Sequence, residues 1–578
     1  MKIVFAYPPG RFPTVVHDPG ACWEQLSGTK DLSCEYFNGN LEWWQLFCSP
    51  RFIELFSGKF PLQELVSGKL GGKFTLANLA KIAVSAGETL KLLQAESAFT
   101  SVDRYSKALE PLSNYVRLIN YLQPGLGVKY DIGPEVNGVD YTNSRAMVEY
   151  AGKETLLSTS IDRTLASLPE KVDACLLSVT SSYDLLTCLI LAERLRRRYP
   201  GIYLSIISHG YENSSLDSQS EKLEKTGALF EILDSIVKFS YQKNAAVSYL
   251  VSELKSGRRP KGFIELSAQP LVLEPSGEAL PRQEAFSPEP LFSMRISDKK
   301  CYWSQCAFCV QNARHEEGPT PSEQDVDLSL LRVEKLIKAG YKYFYFGDEA
   351  LHPRLLEYLC RVVASKNMVF RWACRCRMEP PYDEDFFIRL KAAGCYEVLF
   401  GVESLVPRVQ RLMRKYQDTV TEQDVRSVID RVASAGLGIH LTFIVGFPGE
   451  RLDETKTTLM FLAKALKNIR HATYYVNTFT LFHLSAVFRN PDDFGITAGL
   501  VPGDIGSSCG YSFRESAQAE EDQKIRDALP ELLTHVGKEL GWAKFENRPE
   551  TKLLRDLYFN YGHGAYIKSS EPDIFTTS

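Results

Sequence analysis

Apolar runs of strand length alternate with amphipathic stretches in the first half of the chain. Lys2 to Ala6, Ala174 to Val179 and Ile202 to Ile207 are such runs, and the stretch from Tyr183 to Arg198 places its apolar residues at helical spacing. A buried strand, a helix of that length and a second buried strand predict a parallel crossover. We therefore expect residues 1–268 to form an open α/β domain around a parallel sheet.

Residues 50–150 do not follow this alternation. Leu76 to Leu93 has helical periodicity, and Tyr105 to Leu122 carries apolar residues at mixed spacing. The pattern favours a helical insertion within the first domain.

A proline-rich stretch precedes a second alternation of strands and helices. Residues 269–290 contain five prolines among acidic and small residues, which indicates an interdomain linker. Beyond it, strands are predicted at Leu291 to Ile296, Tyr343 to Phe346, Val369 to Cys374, Glu397 to Gly401, Ile439 to Val445 and Thr473 to Thr480. Helices are predicted near Leu328 to Ala339, Arg354 to Ala364, Glu384 to Ala393, Glu422 to Ala435 and Glu454 to Leu466. These six steps predict a partial (β/α)6 barrel over residues 291–500, with its chemistry at the carboxyl ends of the strands, and a small helical region at 501–578.

The composition limits the classes of protein to consider. With 578 residues the chain is too long for one ordinary hydrophobic core, so several folded units are expected. Hydrophobic residues make up 44% and charged residues 24%, the balance of a soluble globular protein. A formal net charge of −4 argues against nucleic acid as a partner, because such interfaces need a basic face. No apolar run is long enough to span a membrane, so a membrane is not expected as a partner either.

The opening residues and the cysteines indicate a compartment. The apolar run in MKIVFAYPPG is too short for a signal peptide and is typical of a first strand. Thirteen cysteines are an odd number, and they lack the regular spacing of a secreted disulfide scaffold. We therefore expect a cytoplasmic protein whose thiols are free to bind metal.

The segment CYWSQCAFC places Cys301, Cys306 and Cys309 in one loop after the first predicted barrel strand. Three thiolates from a short loop can hold three irons of a cubane cluster and leave the fourth iron open for a substrate or cofactor. A zinc site is an alternative, but zinc normally takes four ligands and no second close pair follows. Chance is another, and Cys374 and Cys376 are spaced for one face of a strand as core or site-lining residues.

This cysteine motif resembles that of the radical S-adenosylmethionine (radical SAM) enzymes. Members carry three cysteines after the first strand, usually spaced Cys-x3-Cys-x2-Cys with an aromatic residue before the last. Phe308 supplies that aromatic residue, whereas the four residues between Cys301 and Cys306 exceed the usual spacing by one. The resemblance implies a 4Fe–4S cluster held by the three cysteines, S-adenosylmethionine (SAM) on the open iron, and formation of a 5′-deoxyadenosyl radical.

Segments after two further predicted strands match the SAM-binding segments of this family. Gly347, Asp348 and Glu349 follow the second strand, where the family has a Gly-Gly-Glu-like turn for the methionine ammonium group. Arg375 and Arg377 are placed after the third strand, and the resemblance implies that either could meet the methionine carboxylate.

The next two strands of the predicted barrel continue the match in the same order. Glu403 and Ser404 follow the fourth strand, where the family often holds the ribose hydroxyls. Val445 and Gly446 lie where a fifth-strand segment backs the adenine. Ordered matches at successive strand ends support the family more than any one of them does. The resemblance covers about Leu291 to Pro491.

The first domain resembles the Rossmann-like cobalamin-binding domain that precedes the barrel in one subclass of these enzymes. Tyr7-Pro8-Pro9 after the first strand is typical of that subclass. Ser178 and Thr180 lie where such domains place small hydroxyl residues beside the nucleotide tail, and His209 lies where they usually carry two glycines. The resemblance implies that these three residues contact cobalamin, with His209 as an alternative cobalt ligand or a strand-end residue.

The first domain also departs from the cobalamin-binding pattern. The Asp-x-His-x-x-Gly signature that supplies a histidine to cobalt is absent, and the sequence around His17 does not match it. A degenerate domain of the same fold that binds no cofactor is therefore a second interpretation.

The leading functional hypothesis is cobalamin-dependent methylation of an unactivated carbon in a peptide or secondary metabolite. A second hypothesis is a radical SAM enzyme of the same architecture that forms a ring, rearranges its substrate or makes another bond change. A third is a non-catalytic iron–sulfur electron-relay protein, which would have no use for a ribose or methionine site. The expected partners are a small-molecule or peptide substrate and an electron donor such as flavodoxin or ferredoxin.

Overall fold

The structure is a computed structural model. It describes residues 1–59, 69, 75–99, 102–123, 125–130, 132–179, 182–209, 216, 219–238, 243–265, 277–314, 319–379, 382–467, 469, 472–506 and 508–540. The chain divides into two compact units. The first comprises Met1–Leu291 with Pro502–Gly506, and the second comprises Phe292–Val501 with the described residues 508–540.

A six-stranded parallel sheet forms the centre of the first unit. Strands run at β1 (Lys2–Tyr7), β2 (Val15–His17), β3 (Ser33–Asn38), β4 (Leu126–Lys129), β5 (Gly133–Val136), β6 (Ala174–Val179), β7 (Tyr203–His209), β8 (Ser235–Val237) and β9 (Gly262–Ile264). The sheet order is β3-β1-β6-β7-β8-β9 with parallel pairing throughout, while β4 and β5 form an antiparallel hairpin. Ile3, Val4 and Phe5 are at most 1% exposed, as expected for a parallel strand covered on both faces.

Helices of the first unit cover this sheet and form much of the predicted insertion. They lie at Cys22–Ser27, Gly39–Phe47, Pro50–Lys59, Leu76–Leu92, Val102–Leu122, Ser144–Ala151, Leu156–Thr164, Ser182–Arg198, Ser220–Thr226 and Lys243–Lys255, with 3-10 turns at Glu96–Phe99, Leu165–Ser167 and Ala228–Glu231. The helix Ser182–Arg198 connects β6 to β7 as the predicted parallel crossover. Thr75 caps the helix that follows it, because its hydroxyl accepts the Asn78 amide while the Asn78 side chain accepts the Thr75 amide.

The second unit contains the predicted partial barrel. Its strands are β10 (Leu291–Met294), β11 (Tyr343–Phe346), β12 (Arg371–Arg377), β13 (Cys395–Glu403), β14 (Gly438–Val445) and β15 (Ala472–Thr478). They are neighbours in sequence order, and the pairs from β11 to β15 are parallel. The α/β fold class with a partial (β/α)6 barrel is therefore confirmed. One prediction within it was wrong, because Arg375 and Arg377 belong to β12 itself rather than to the segment after it.

Helices separate the barrel strands and follow them. They lie at Glu323–Lys338, Pro353–Ser365, Phe386–Ala392, Pro407–Leu412, Glu422–Ser434, Leu452–Leu466, Ala486–Arg489 and Ser516–Glu539, with 3-10 turns at Val310–Arg314 and Pro491–Phe494. Capping boxes start the helices after Ser322 and Thr421. In the described part of the chain, no helix is both long and apolar enough to cross a membrane.

The C-terminal region is not purely helical as predicted. Strands β18 (Ser508–Cys509) and β19 (Tyr511–Phe513) lie in this region, and they pair antiparallel with β16 (Leu481–Phe482) and β17 (Ile496–Ala498) at the end of the predicted barrel range. These strands are only two or three residues long, too short for their periodicity to be recognised in the sequence. Part of the predicted linker (266–276) and the end of the C-terminal region (541–578) lie outside the described residues.

Candidate functional site

Cys301, Cys306 and Cys309 lie in a tight loop between β10 and the first barrel helix. All three are half-buried and none forms a disulfide. Ser304 has a left-handed backbone with φ of 49°, and its hydroxyl donates to the Cys301 carbonyl. The Cys309 amide donates to the Cys306 carbonyl at 3.1 Å. Local turns therefore present three thiols from one short segment.

Backbone bonds hold this cysteine loop to two other segments of the second unit. The Ala307 amide donates to the Met413 carbonyl at 2.8 Å, and the Ala307 carbonyl accepts the Val487 amide at 3.1 Å. The Ala307 side chain is fully buried in a hydrophobic cluster, and Phe308 packs against the same cluster. These contacts hold the loop at Ala307, between the second and third cysteines.

The donor set determines which metal group the loop fits. Among the described residues, no three His, Cys, Asp or Glu side chains converge to hold a single metal ion. A single zinc ion needs such convergence, usually by four ligands. Thiolates of a cubane cluster each bind a different iron and need not converge on one point. Three half-buried thiols on one loop, none of them in a disulfide, therefore fit a cluster better than a single ion.

Two cations lie beside Cys306. The Arg377 Nη1 is 3.9 Å from the Cys306 Sγ, and the Lys415 Nζ lies 6.0 Å from the centre of the Phe308 ring. Burial raises the pKa of the Cys306 thiol, while the positive charges of Lys415 and Arg377 act in the opposite direction. Burial outweighs the two cations for the uncoordinated thiol, and the cations are the part of these surroundings that favours negative charge at Cys306.

The Glu403 side chain belongs to a buried ion pair. Glu403 ends β13 with φ of 64°, and its Oε1 lies 3.1 Å from the Lys415 Nζ. A Cβ at Gly401 would stand 2.4 Å from that oxygen, so only glycine leaves room for the pair. Ser404 is fully buried, and its hydroxyl accepts the Val406 amide at 3.2 Å. Glu403 thus remains a candidate for ribose binding, whereas Ser404 supports the turn.

The two acids in the turn after β11 have different partners, and Asp348 is bonded to backbone amides. Gly347 donates its amide to the Met294 carbonyl at 2.8 Å, and Asp348 accepts the Ile296 and Ser297 amides at 2.8 and 3.1 Å. Burial raises the pKa of Asp348 to about 6, although Arg295 and the two amides lower it. Asp348 therefore fixes the end of β10, where the cysteine loop begins.

Glu349 contacts two arginines on neighbouring strand segments. Its Oε1 accepts Arg295 Nη1 at 3.0 Å, and its Oε2 lies 3.7 Å from Arg375 Nη1. The Arg375 side chain is 44% exposed although β12 is an inner strand of the sheet. The Glu349 carboxylate and the Arg375 guanidinium can together bind the ammonium and carboxylate groups of an amino acid.

Val445 and Gly446 lie at the end of β14. Val445 is fully buried and accepts the Phe479 amide at 2.8 Å, while Gly446 has φ of 72°. The Glu450 carboxylate closes the following turn by accepting the Phe447 amide at 3.1 Å and the Thr455 hydroxyl at 2.8 Å. The glycine is needed here because its backbone is left-handed.

Sequence reasoning missed three residues around Cys306. They are Trp303, Glu379 and Lys415, which lie in different segments and carry no motif of their own. Only Trp303 stood inside the cysteine motif. The other two become recognisable only when β12 and the segment after β13 are brought to the same loop.

The predicted cobalamin residues of the first unit are only partly described. Ser178 is half-buried near the end of β6, next to Val179, which lies opposite His209 of β7. Thr180 and the side chain of His209 lie outside the described residues. His17 stacks on Tyr7 at 4.6 Å, and burial with the charge of Arg11 lowers its pKa to about 3. His17 is thus a packed neutral imidazole.

Three comparisons with known proteins support part of this interpretation. Residues 299–462 match the family model of the Radical SAM superfamily. An uncharacterized methyltransferase of Pyrococcus horikoshii is 25% identical over 252 residues, which are 40% of this chain and 52% of that protein. The chain therefore aligns with about half the length of that curated relative.

Solved structures of two radical enzymes are also similar. TsrM of Kitasatospora setae, a radical SAM methyltransferase solved with cobalamin and a 4Fe–4S cluster, is 14% identical with a TM-score of 0.45, covering 68% of this chain and 86% of that one. The cobalamin-dependent SAM radical enzyme OxsB is 13% identical with a TM-score of 0.42, covering 82% and 85%.

The matched family segment coincides with the site. It begins just before Cys301, includes strands β11 to β14 and extends beyond Gly446. A radical SAM domain implies a 4Fe–4S cluster and SAM as cofactors. The resemblance predicted from the cysteine motif is confirmed here: residues 299–462 of this chain are a domain of the Radical SAM superfamily.

Proposed function

We propose that this protein is a cobalamin-dependent radical SAM methyltransferase that methylates an unactivated carbon in a peptide or secondary metabolite. The observation that carries the proposal is the cysteine loop after the first barrel strand, together with the pair of Glu349, which follows β11, and Arg375, which lies within β12. An electron-relay protein would need the three thiols to hold a cluster, but it would not need the Glu349–Arg375 pair, because it binds no SAM.

In this proposal Cys301, Cys306 and Cys309 hold the cluster. When bound, the cluster supplies the electron that starts radical chemistry on SAM. The Arg377 guanidinium beside Cys306 stabilises thiolate charge, and the backbone anchors of Ala307 keep the loop in place.

Residues at the next strand ends bind and orient SAM in this proposal. Glu349 accepts hydrogen bonds from the methionine ammonium group, and Arg375 donates to the methionine carboxylate. Both side chains therefore bind the ligand in addition to their mutual contact of 3.7 Å. Glu403 accepts ribose hydroxyls, with Lys415 holding its carboxylate in place. Val445 and Gly446 provide an apolar wall and an accessible backbone for adenine.

The first unit binds cobalamin in this proposal, at the carboxyl edge of its parallel sheet. Ser178 lies near the end of β6 and His209 ends β7, at the edge where open α/β sheets bind ligands, and Thr180 follows β6 in the sequence. When bound, cobalamin supplies a methyl group for transfer. Because His17 is packed against Tyr7 and Arg11, we expect cobalamin to bind without His17 as a cobalt ligand.

Anaerobic reconstitution with iron and sulfide tests the cluster. The wild-type protein should become brown and carry about four irons, whereas replacing all three cysteines with alanine should abolish iron binding. Cys34→Ala is a matched control, because Cys34 is also half-buried and lies outside the loop. A colourless wild-type protein with one zinc would contradict the proposal.

SAM turnover tests the second part. The reduced wild-type protein should release 5′-deoxyadenosine and methionine from SAM. Glu349→Gln and Glu403→Gln should weaken SAM binding more than they reduce iron content. If both variants keep full affinity for SAM, the assignment of these two residues is wrong.

Retention of cobalamin decides between methyl transfer and the alternative reaction. The protein is incubated with hydroxocobalamin and desalted, and its visible spectrum is recorded. Stoichiometric retention supports the proposal, and labelled SAM then traces the methyl group into a substrate. SAM cleavage without retained cobalamin would favour ring formation, rearrangement or another bond change, with a degenerate first domain.

A further inference from the structure

Arg377 makes more contacts around the cysteine loop than the SAM-binding assignment accounts for. Its side chain is only 4% exposed. Its Nε and Nη2 donate to the two oxygens of Glu379 at 2.7 and 2.6 Å, and Nη2 also donates to the Lys415 carbonyl. The remaining terminal nitrogen, Nη1, lies 3.9 Å from the Cys306 Sγ. Its donors are thus directed at Glu379, Lys415 and Cys306.

Aromatic rings enclose the same guanidinium. Its central carbon lies 4.3 Å from the Trp303 ring centre, 5.5 Å from that of Tyr416 and 6.0 Å from that of Tyr302. The Trp303 indole nitrogen donates to the Arg414 carbonyl at 3.0 Å. A planar cation stacked on Trp303 and bonded to Glu379 leaves little freedom for either segment.

The charges around Cys306 are almost balanced. Glu379 compensates Arg377, and Glu403 compensates Lys415. Arg377 contacts the sulfur directly, through its Nη1 at 3.9 Å. Removing its charge would leave the Glu379 carboxylate without its cation and the Cys306 sulfur without this donor. A cluster held by three thiolates gains a negative charge on reduction, so a cation and a hydrogen bond at one sulfur favour the reduced state.

We propose that Arg377 is a positioning residue that holds the cysteine loop through Trp303 and Glu379 and raises the reduction potential of the cluster through Cys306. This inference rests on the proposed cluster. It assigns to Arg377 a role other than contact with the methionine carboxylate, which remains with Arg375. The step it affects is the transfer of one electron from a chemical reductant to the oxidised cluster.

The test is a redox titration of the reconstituted protein in the absence of SAM, followed by electron paramagnetic resonance. In Arg377→Gln the ratio of reduced to oxidised cluster at a fixed applied potential should fall about tenfold, which corresponds to about 59 mV for one electron. Arg377→Lys keeps the charge but loses the fork and the stacking. It should hold a potential near that of the wild type and lose iron faster in air.

Arg408→Gln is the matched control. Two nitrogens of Arg408 also donate to a carboxylate, that of Glu454, and one of them donates to the Gly449 backbone carbonyl as well. The reduction potential of the cluster in the Arg408→Gln variant should equal that of the wild type. An unchanged potential in Arg377→Gln, with a normal cluster in the wild type, would overturn this inference alone. A wild-type protein without a 4Fe–4S cluster would overturn the proposed function as well.

Discussion

At the scale of single residues, the barrel unit keeps several ionisable side chains out of water. Lys415 and Glu403 are 7% and 6% exposed and form one ion pair. Glu450 is 4% exposed and is bonded to Phe447 and Thr455. Burying a charge is costly unless it is paired or hydrogen-bonded. These groups therefore make the free energy of unfolding sensitive to substitution and to pH.

Lys415→Met should lower the free energy of unfolding by about 3–5 kcal/mol, because it leaves the Glu403 carboxylate buried without its cation. The double variant Lys415→Met/Glu403→Gln should recover most of that loss. Urea unfolding of the metal-free protein measures both. Lys467→Met is the control, since its pair with Glu539 has a similar distance of 2.9 Å but is exposed. It should cost at most about 1 kcal/mol, and equal losses in the two variants would contradict the argument.

Glu450 should make the protein less stable as pH rises. Burial raises its folded-state pKa to about 7 from the ordinary value of 4.5. The folded state therefore holds a proton that the unfolded state releases between pH 4.5 and 7. The contribution of this proton to the free energy of unfolding is complete below pH 4.5 and is lost as pH rises through about 7. Over that range the free energy of unfolding falls by up to about 1.4 kcal/mol per pH unit.

Glu450→Gln tests that pH dependence. The amide oxygen can still accept the Phe447 amide, but it cannot titrate. Unfolding curves from pH 5 to pH 8 should have a smaller slope in the variant than in the wild type. Identical slopes would show that Glu450 has an ordinary pKa in the folded protein.

At the scale of elements, the cysteine loop depends on what holds it as much as on its cysteines. Ala307 connects it to the Met413 and Val487 backbones, and its side chain faces the hydrophobic cluster. Asp348 fixes the preceding residues through the Ile296 and Ser297 amides. The loop geometry is therefore set by packing from segments far away in sequence.

Ala307→Leu should reduce the iron content after reconstitution at least several-fold, because three extra carbons do not fit a fully buried position. Iron analysis and the visible spectrum measure the effect. Gln305→Leu in the same loop is the control, since Gln305 is exposed and has room for the change. Normal iron content in Ala307→Leu would mean that the loop is not fixed through this residue.

At the scale of the whole molecule, a short segment near the C-terminus belongs to the first unit. Residues Pro502–Gly506 group with it, although the chain before and after them groups with the second. Asp504 accepts the Ser144 amide at 2.7 Å, the Ser144 hydroxyl and the Thr226 hydroxyl at 3.0 Å. This segment is therefore part of the first unit's structure.

Asp504→Ala should lower the free energy of unfolding of the first unit by about 1–3 kcal/mol, since it leaves the buried amide and hydroxyl of Ser144 without their acceptor. Thermal unfolding followed by circular dichroism measures the change. Glu231→Ala is the control, because its pair with Arg145 in the same unit is exposed. If the two variants unfold alike, Asp504 does not stabilise the unit.

The sequence by itself determined the two α/β alternations, the order of the barrel strands and the cysteine loop. Strand and helix periodicities are local, so the runs from Lys2 to Ala6 and from Tyr183 to Arg198 could be recognised without a fold. The cysteines could be recognised for the same reason, because all three lie within nine residues.

Only the tertiary structure decided how the site is held together. Arg377, Glu379 and Lys415 come to Cys306 from two other segments, and no periodicity or spacing connects them. It also separated Asp348, which fixes β10, from Glu349, which contacts Arg375, although the two acids are adjacent in sequence. The physical reason is that hydrogen bonds and charge compensation depend on distances across the fold, which a local pattern does not contain.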